Sequence, residues 1–210
     1  MRTLQHGFTL ALVLTVGRLM GPPPAAAQVQ EWTIDGSHSA AQFAVRHMMV
    51  STVRGRLGKA SGTVRFDGKD PASLVIDATI DVTGIDTQEP KRDAHLKSAD
   101  FFDVQKYPTV AFKSKRSEAV APGRFRVIGD LTMHGVTKEV VLEVEGPSPE
   151  IRQGTMRRLG ATASGRINRS DFGLTWNRAL EAGGVMVADE VAITIDVEVV
   201  RSGATSGETK

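Results

Sequence analysis

Apolar and polar residues alternate along several stretches of the chain. The segment Leu74–Val82 places an aliphatic residue at every second position, and mostly polar residues lie between them. Segments Val140–Glu145 and Val191–Val199 repeat the pattern. A period of two is typical of a β-strand with one face against apolar matter and the other against water. These three segments are therefore predicted to be amphipathic strands.

Shorter runs of the same kind predict further strands, and only one stretch is helical in pattern. Asp67-Gly68, Pro122-Gly123 and Gly183-Gly184 are turn signals that separate the runs. Pro90 suits a first helical turn, so a short helix is predicted with Lys91–Lys97 following it. The further predicted strands are Ala41–His47, Val53–Leu57, Gly62–Phe66, Thr109–Ser114, Gly123–Leu131, Leu159–Ile167 and Phe172–Trp176.

This order of elements predicts an all-β, antiparallel fold. About ten short strands and a single helix lack the βαβ spacing of a parallel sheet. A closed barrel and a two-sheet sandwich both fit the pattern. Strong strand patterns at the two ends of the domain indicate that its first and last strands could pair and close a barrel.

The N-terminal segment is predicted to be a signal peptide spanning residues 1–27. Arg2 precedes the apolar run Phe8–Val16, and Ala25-Ala26-Ala27 offers a small-residue cleavage site before Gln28. A disordered or anchoring N-terminus is the alternative. The β domain is predicted at residues 28–201 and a disordered polar tail at 202–210. No later run approaches the roughly 20 apolar residues of a membrane-spanning helix.

Charge and cysteine content exclude several classes of function. Removing Arg2 and Arg18 with the signal lowers 26 basic residues to 24, which equals the 24 acidic residues. The basic residues are scattered, so nucleic-acid binding is not predicted. There is no cysteine, which excludes thiol catalysis, iron–sulfur clusters and thiolate zinc sites.

The remaining polar residues do not predict a catalytic, metal or cofactor site. His38, His47, His95 and His134 are dispersed, whereas metal-binding histidines are usually closely spaced. His95, near Asp93 and Asp103, is the most suggestive of them, but a structural bond to the backbone is the expected role. No serine lies in the G-x-S-x-G motif of a nucleophile elbow.

Two polar groups are predicted to shape turns. Asp100 and Asp103 flank Phe101-Phe102, and are expected to cap turns around these two anchored aromatic side chains. Arg169 and Asp171, beside Phe172-Gly173, are expected to form a hairpin or a bulge.

Motifs along nearly the whole domain resemble those of the YceI-like family. The strongest match is Gly129–Lys138, and Asp93–Asp103 is another long match. Leu57 stands where the family often has phenylalanine, and Met133 where it often has isoleucine, which puts ligand selectivity in doubt. The other matching pieces, in chain order, are Trp32–Asp35, His38-Ser39, Phe43–Val45, His47, Val53–Gly55, Tyr107-Pro108, Phe112–Ser114, Asn168–Leu174 and Asp189–Val191.

The resemblance implies an extended, lipocalin-like barrel of about eight strands. It implies that the lumen holds a long apolar ligand such as a polyisoprenoid, an isoprenoid quinone or a fatty-acyl compound. A periplasmic carrier, with a homodimer as one form, is expected on the same ground. An enzyme acting on a hydrophobic substrate and a stress-related interaction module are the alternatives.

Inward-facing apolar residues are the candidates for contact with such a ligand, although each of them could instead fill the core. Arg54, His47 and Asn168 are candidates for a polar barrel mouth. The candidate lumen residues are Phe43, Val45, Leu57, Phe66, Leu74, Ile76, Ile80, Phe112, Phe125, Leu142 and Ile193.

Overall fold

The computed structural model describes residues 28–202 with the exception of Lys69 and Ala182. The predicted signal peptide and residues 203–210 of the predicted tail lie outside the described residues. Ser202 was assigned to the tail, but it belongs to the last strand. The strands are β1 (Gln30–Ile34), β2 (Ala40–His47), β3 (Ser51–Arg56), β4 (Ala60–Phe66), β5 (Val75–Asp81), β6 (Thr109–Ala121), β7 (Arg124–Met133), β8 (Val136–Glu145), β9 (Ile151–Gln153), β10 (Met156–Asn168) and β11 (Val187–Ser202).

Eight of these strands form a closed antiparallel barrel. Their order around the ring is β11, β1, β4, β5, β6, β7, β8 and β10, and β10 pairs with β11 to complete it. Strands β2 and β3 extend the sheet from β11, while the short β9 lies beside β10. The prediction of an extended barrel of about eight strands is confirmed, and the sandwich alternative is wrong.

The last strand closes the barrel by pairing with β1 along one edge and with β10 along the other, and β2 pairs farther along the β1 edge. Ile34 of β1 lies opposite Val199, and Phe43 of β2 lies opposite Ile193. Both partners use the same edge of β11, because β11 is longer than either of them. An N-terminal strand and the C-terminal strand do pair as predicted, but the ring closes through β1, whereas the predicted strand Ala41–His47 pairs with β11 outside the ring.

Alternation correctly identified the inward face of the strands. In β8, Leu142 and Val144 are buried while Val141 and Glu143 are exposed. The same holds in and beside β5, where Leu74 is buried and Val75 is exposed. Strands β1 and β9 were not predicted as separate elements.

The strand predicted at Phe172–Trp176 is wrong, as is the hairpin or bulge expected around Arg169. Residues Arg169–Phe172 form a 3-10 helix that ends at Gly173, whose φ of 80° is left-handed. The buried guanidinium of Arg169 then donates to the carbonyl oxygens of Leu174 and Trp176. These carbonyls are thus unavailable to a neighbouring strand, so the segment stays irregular.

The predicted helix is confirmed as α1 (Pro90–Lys97), and a second 3-10 helix spans Pro71–Ser73. Pro90 occupies the first turn, and the Glu89 side chain accepts a hydrogen bond from the Lys91 amide at 3.2 Å. This caps an amide that has no partner within the helix. No helix within residues 28–202, as described, has the length and apolar content to span a bilayer.

One end of the barrel is closed by side chains. A buried cluster there draws on strands β6 and β7 and on the 3-10 helix that ends at Phe172, which is only 2% exposed. Its members are Val82, Val110, Leu131, Met133, Phe172 and Leu174. We refer to this end as the closed end; the opposite end carries the β4–β5, β6–β7 and β8–β9 connections.

Candidate binding cavity in the barrel lumen

The barrel encloses a central cavity of about 120 Å3 that is lined by apolar side chains. All eight barrel strands contribute to its wall, which is why it lies on the barrel axis. Among the described residues that line it, Ser39 alone has a polar side chain, and its hydroxyl already bonds the backbone of Glu198. One lining residue from each strand, in chain order, is Ile34, Val64, Ile76, Phe112, Val127, Leu142, Ala163 and Ile193.

A second cavity of about 100 Å3 lies next to the first, in the direction away from the closed end. Trp32, Phe66, Leu74 and Phe125 line it. The two cavities have five wall residues in common, so they form one channel, which we call the lumen. These shared residues are Val64, Ile76, Val144, Ala163 and Val197.

The lumen opens to water through a larger and more polar depression of about 610 Å3, which we call the mouth. Trp32, Phe66 and Phe125 line both the mouth and the second cavity, so these three side chains stand where the two spaces meet. The polar residues around the mouth come from its three connecting loops and the adjoining strands. They are Gln30, Asp67, Arg124, Ser148 and Glu150.

Arginine side chains surround the single carboxylate of Glu150 at the mouth. Arg157 Nη1 lies 2.6 Å from Glu150 Oε1, and Arg152 and Arg201 each lie 3.4 Å from this carboxylate. The hydrogen bond from Arg157 holds the pKa of Glu150 below its usual value. The Arg201 guanidinium also lies 4.7 Å from the Trp32 ring centroid, so a cation covers one wall of the mouth.

A second charged cluster lies on the outer surface, away from the lumen. Asp35, His38 and Glu198 bring ligand-type atoms within 4.8 Å of one another. Arg158 already contacts both carboxylates, so a metal ion would have to displace its guanidinium. The His38 hydrogen bond lowers the pKa of Asp35 to about 2, and Asp35 in turn raises the pKa of His38. These residues form a charge network.

The predicted lumen residues fall into three groups. Phe43 and Val45 line a separate groove beside α1, and Leu57 packs against the closed-end cluster. The groove has a volume of about 400 Å3, and we call it the lateral groove. The others line the lumen: Ile76, Ile80, Phe112, Leu142 and Ile193 in the central cavity, and Phe66, Leu74 and Phe125 in the second.

The polar residues predicted for the mouth lie elsewhere. Asn168 ends β10 at the closed end, His47 lines the lateral groove, and Arg54 is exposed on β3. The prediction was wrong because residue type alone does not show at which end of a strand the barrel opens. His95 also differs from expectation: its Nε2 lies 2.8 Å from Asp100 Oδ2, and its ring packs edge-on to Phe101 and Trp176.

Several wall residues were missed in the sequence. Trp32 and Ile34 share the inward face of β1, a period-two signal that was present but short. Val127, Val144 and Val197 could have been found by extending the alternation already seen in β7, β8 and β11. The mouth residues Asp67, Arg124 and Glu150 carry no such signal, because they lie in or beside loops.

Comparisons with known proteins agree with this fold. The family model described as "YceI-like domain" matches residues 32–199. UPF0312 protein SAS2572 of Staphylococcus aureus strain MSSA476 is 36% identical over 169 residues, which cover 80% of this chain and 95% of that protein.

Two solved structures show the same architecture. The YCEI protein of Campylobacter jejuni is 29% identical, with a TM-score of 0.61 over 75% of this chain and 90% of that one. A domain from Saccharophagus degradans, described as polyisoprenoid binding and implicated in plant cell wall breakdown, has a TM-score of 0.56. It covers 80% of this chain and 97% of its own, and at 15% identity its likeness concerns the fold alone.

Proposed function

The chain belongs to the YceI-like domain family, and on that premise we propose that it is an exported, periplasmic carrier of one long apolar ligand chain. The ligand classes that fit are a polyisoprenoid, an isoprenoid quinone and a fatty-acyl compound. The observation that supports this function most directly is the lumen, an apolar channel that is lined from all eight strands and left unfilled by its own side chains.

The energetics of the lumen favour an apolar occupant. A cavity of 120 Å3 is far larger than the roughly 10–15 Å3 that one water needs, but a water also needs two to four polar partners. Leaving such a volume empty costs on the order of 3 kcal/mol of stability. Each buried methylene contributes about 0.8 kcal/mol, so about ten of them give roughly 8 kcal/mol before the costs of binding.

The chemistry of the wall favours binding over catalysis. An enzyme acting in the lumen would need an acid–base pair or a nucleophile with its base. Among the described wall residues, the Ser39 hydroxyl is the single such group, and it is bonded to the Glu198 backbone. The name of the Saccharophagus degradans domain supports a polyisoprenoid as the first ligand to test.

The first experiment is to purify the full-length gene product without detergent after expression in a bacterial host, and to record native mass spectra. We expect one bound lipid for each barrel, released as a single long-chain species by organic solvent. The denatured mass also tests export, since cleavage predicts a chain that begins at Gln28. A protein free of lipid, and unable to take up added polyprenol, would contradict the carrier function.

A bulky side chain at Ala163 tests whether the ligand occupies the lumen. Ala163 lines both cavities, so Ala163→Phe should block the channel where they meet and lower the amount of bound lipid about tenfold. The matched control is Ser164→Phe, because the next residue of β10 is exposed on the outer face. Thermal unfolding checks that overpacking, which costs about 1–3 kcal/mol, leaves Ala163→Phe folded. Equal lipid content in both variants would place the ligand elsewhere.

A further inference from the structure

Two neighbouring turns at the closed end expose a continuous apolar patch. Met48, Met49 and Val50, which connect β2 to β3, are 42%, 59% and 80% exposed, and Val185 on the adjoining turn is 39% exposed. The Met48 amide donates to the Met186 carbonyl at 2.8 Å, which holds the turns together. We call Met48, Met49, Val50 and Val185 the apolar tip.

Three backbone groups of the turn that connects β2 to β3 are hydrogen-bonded, the first being the Met48 amide. The Val50 amide donates to the His47 carbonyl at 3.0 Å. The Arg46 guanidinium donates to the Met49 carbonyl at 2.7 Å and to the Thr52 hydroxyl at 3.2 Å. Each backbone group bonded in this way costs less to remove from water, which favours entry of the turn into a lipid phase.

The charges around the tip favour an anionic surface. Within residues 46–52 and 178–186, as far as the structure describes them, the charged side chains are Arg46, Arg178 and Glu181, which leaves a cationic excess. Arg178 lies at the base of the second turn, where its carbonyl accepts the Met186 amide. A guanidinium directly behind an apolar tip can bond lipid phosphate while the tip enters the acyl region.

An aromatic groove lies beside the tip. The lateral groove is lined by Trp176, Phe101 and Phe43, and also by Met186, which adjoins Val185. Tryptophan is enriched where proteins meet the boundary between lipid headgroups and acyl chains. The apolar tip, the two arginines and the lateral groove therefore form one surface. Its apolar side chains suit the acyl region of a bilayer, its arginines suit the phosphates, and Trp176 suits the boundary between them.

We propose that the apolar tip docks the protein on a phospholipid bilayer, with Arg46 and Arg178 against anionic headgroups. This goes beyond the carrier function and does not depend on what the lumen holds. Because the tip and the mouth lie at opposite ends of the barrel, docking leaves the mouth uncovered.

The test is sedimentation with vesicles of phosphatidylcholine mixed with phosphatidylglycerol, and with phosphatidylcholine alone. The wild-type protein should bind the mixed vesicles more tightly, and added salt should weaken the binding. Met49→Glu should lower the partition coefficient about tenfold, because a carboxylate replaces an apolar group that enters the bilayer. The matched control is Ile151→Glu near the mouth, since Ile151 is also 59% exposed; its binding should stay within about twofold of the wild type.

Three results would overturn the proposal. The wild type could fail to bind either vesicle, or Ile151→Glu could lose as much binding as Met49→Glu, which would place docking at the mouth. A concentration-dependent dimer that Met49→Glu abolishes, without vesicle binding, would show that a second copy covers the tip. Native mass spectra distinguish a failure of docking from a failure of the carrier function, because Met49→Glu should still contain the lumen lipid. Matching unfolding temperatures show that both variants are folded.

Discussion

Arg169 is a buried cation that joins two parts of the chain. Its guanidinium donates to the carbonyl oxygens of Leu174 and Trp176 on one side, and to those of Ala188 and Val187 on the other. Its Nη2 also lies 3.3 Å from the exposed carboxylate of Asp189. The side chain thus fixes the irregular segment after the 3-10 helix onto the start of β11.

Replacing Arg169 should be costly. Arg169→Lys keeps the charge but not the planar set of donors, and should lower the free energy of unfolding by about 2–3 kcal/mol. Arg169→Leu removes all four of these bonds, and although the Val187 carbonyl keeps its bond from Asn177 Nδ2, the loss should exceed about 3 kcal/mol. Urea unfolding measures both. The control is Arg166→Lys, whose exposed pair with Glu190 is expected to contribute less than about 1 kcal/mol. Equal losses at the two positions would contradict the buried role of Arg169.

The His38–Asp35 pair makes the surface network depend on pH. The pKa of His38 is raised from 6.5, so its contribution is complete below pH 6.5 and is lost as the pH rises through the raised value. The pKa of Asp35 is lowered from 3.8 to about 2, so its contribution is complete above pH 3.8 and is lost as the pH falls toward about 2. The pair therefore supports the fold most strongly between pH 3.8 and pH 6.5.

An NMR titration of the histidine rings checks this coupling. The pKa of His38 should lie above 6.5 in the wild type and should fall toward 6.5 in Asp35→Asn, since the first cause of its shift is the Asp35 hydrogen bond. An unchanged His38 titration in Asp35→Asn would show that the bond is not formed in solution.

At the scale of single residues, the sequence predicted which face of a strand a side chain lies on, but not its position along the barrel axis. Ile76 and Phe112 were predicted to face inward, and they line the central cavity. Phe43 was predicted from the same alternation, yet it lines the lateral groove, because β2 runs beyond the region where the ring closes. Alternation predicts the face of the strand, whereas the position along the barrel axis depends on how the strands pair.

At the scale of the elements, β6 and β7 approach each other through a glycine. Gly129 lies opposite Ser114, and a Cβ at this position would lie 2.5 Å from the Lys113 carbonyl oxygen and 2.6 Å from the Phe112 ring. The Phe112 ring therefore lies over the backbone of Gly129, and it is this ring that lines the central cavity. The sequence gives the glycine but not the aromatic side chain that covers it.

Gly129→Ala should disturb both the strand pair and the lumen. We expect a loss of about 1–3 kcal/mol in the free energy of unfolding, since either the Phe112 ring or the backbone must move. Lipid content should change as well. Gly160→Ala in β10 is the matched control, because its added Cβ would lie 3.7 Å from the nearest atom and should change stability by less than about 1 kcal/mol. Denaturant unfolding compares the two, and equal stabilities would argue against the close approach at Gly129.

The elements themselves were largely predictable where hydrophobic periodicity decides them. Helix α1 followed from Pro90 and the lack of alternation, and β5, β8 and β11 followed from a strict period of two. The strand predicted at Phe172–Trp176 was wrong because of a tertiary contact. The Arg169 guanidinium binds the carbonyl oxygens of Leu174 and Trp176, which in a strand would accept hydrogen bonds from a neighbouring strand. Short β9 has no pattern of its own, because three residues contain too few alternations.

At the scale of the whole molecule, composition and periodicity did not distinguish a barrel from a sandwich, and the family motifs were what favoured the barrel. The physical reason is that both architectures bury one face of each strand. Closure depends on whether the last strand meets the first, and β11 meets β1 and β2 along one edge and β10 along the other. The mouth could not be located at all, because it is formed by loops that are far apart in the sequence.

The pairings that close the ring are unequal, and this has a consequence for motion. Strand β10 pairs with β11 over thirteen residues and β7 with β8 over ten, but β8 meets β10 at three positions only, from Glu143 to Glu145. Toward the closed end the 3-10 helix at Arg169–Phe172 packs against β8 and β11. The pairing of β1 with β11 is shorter still, at two positions, so the ring has two short seams, and amide hydrogen exchange should be faster there than along β10 and β11. For the carrier proposed above, a wall that can widen at these seams would give a long guest a lateral exit in addition to the one through the mouth.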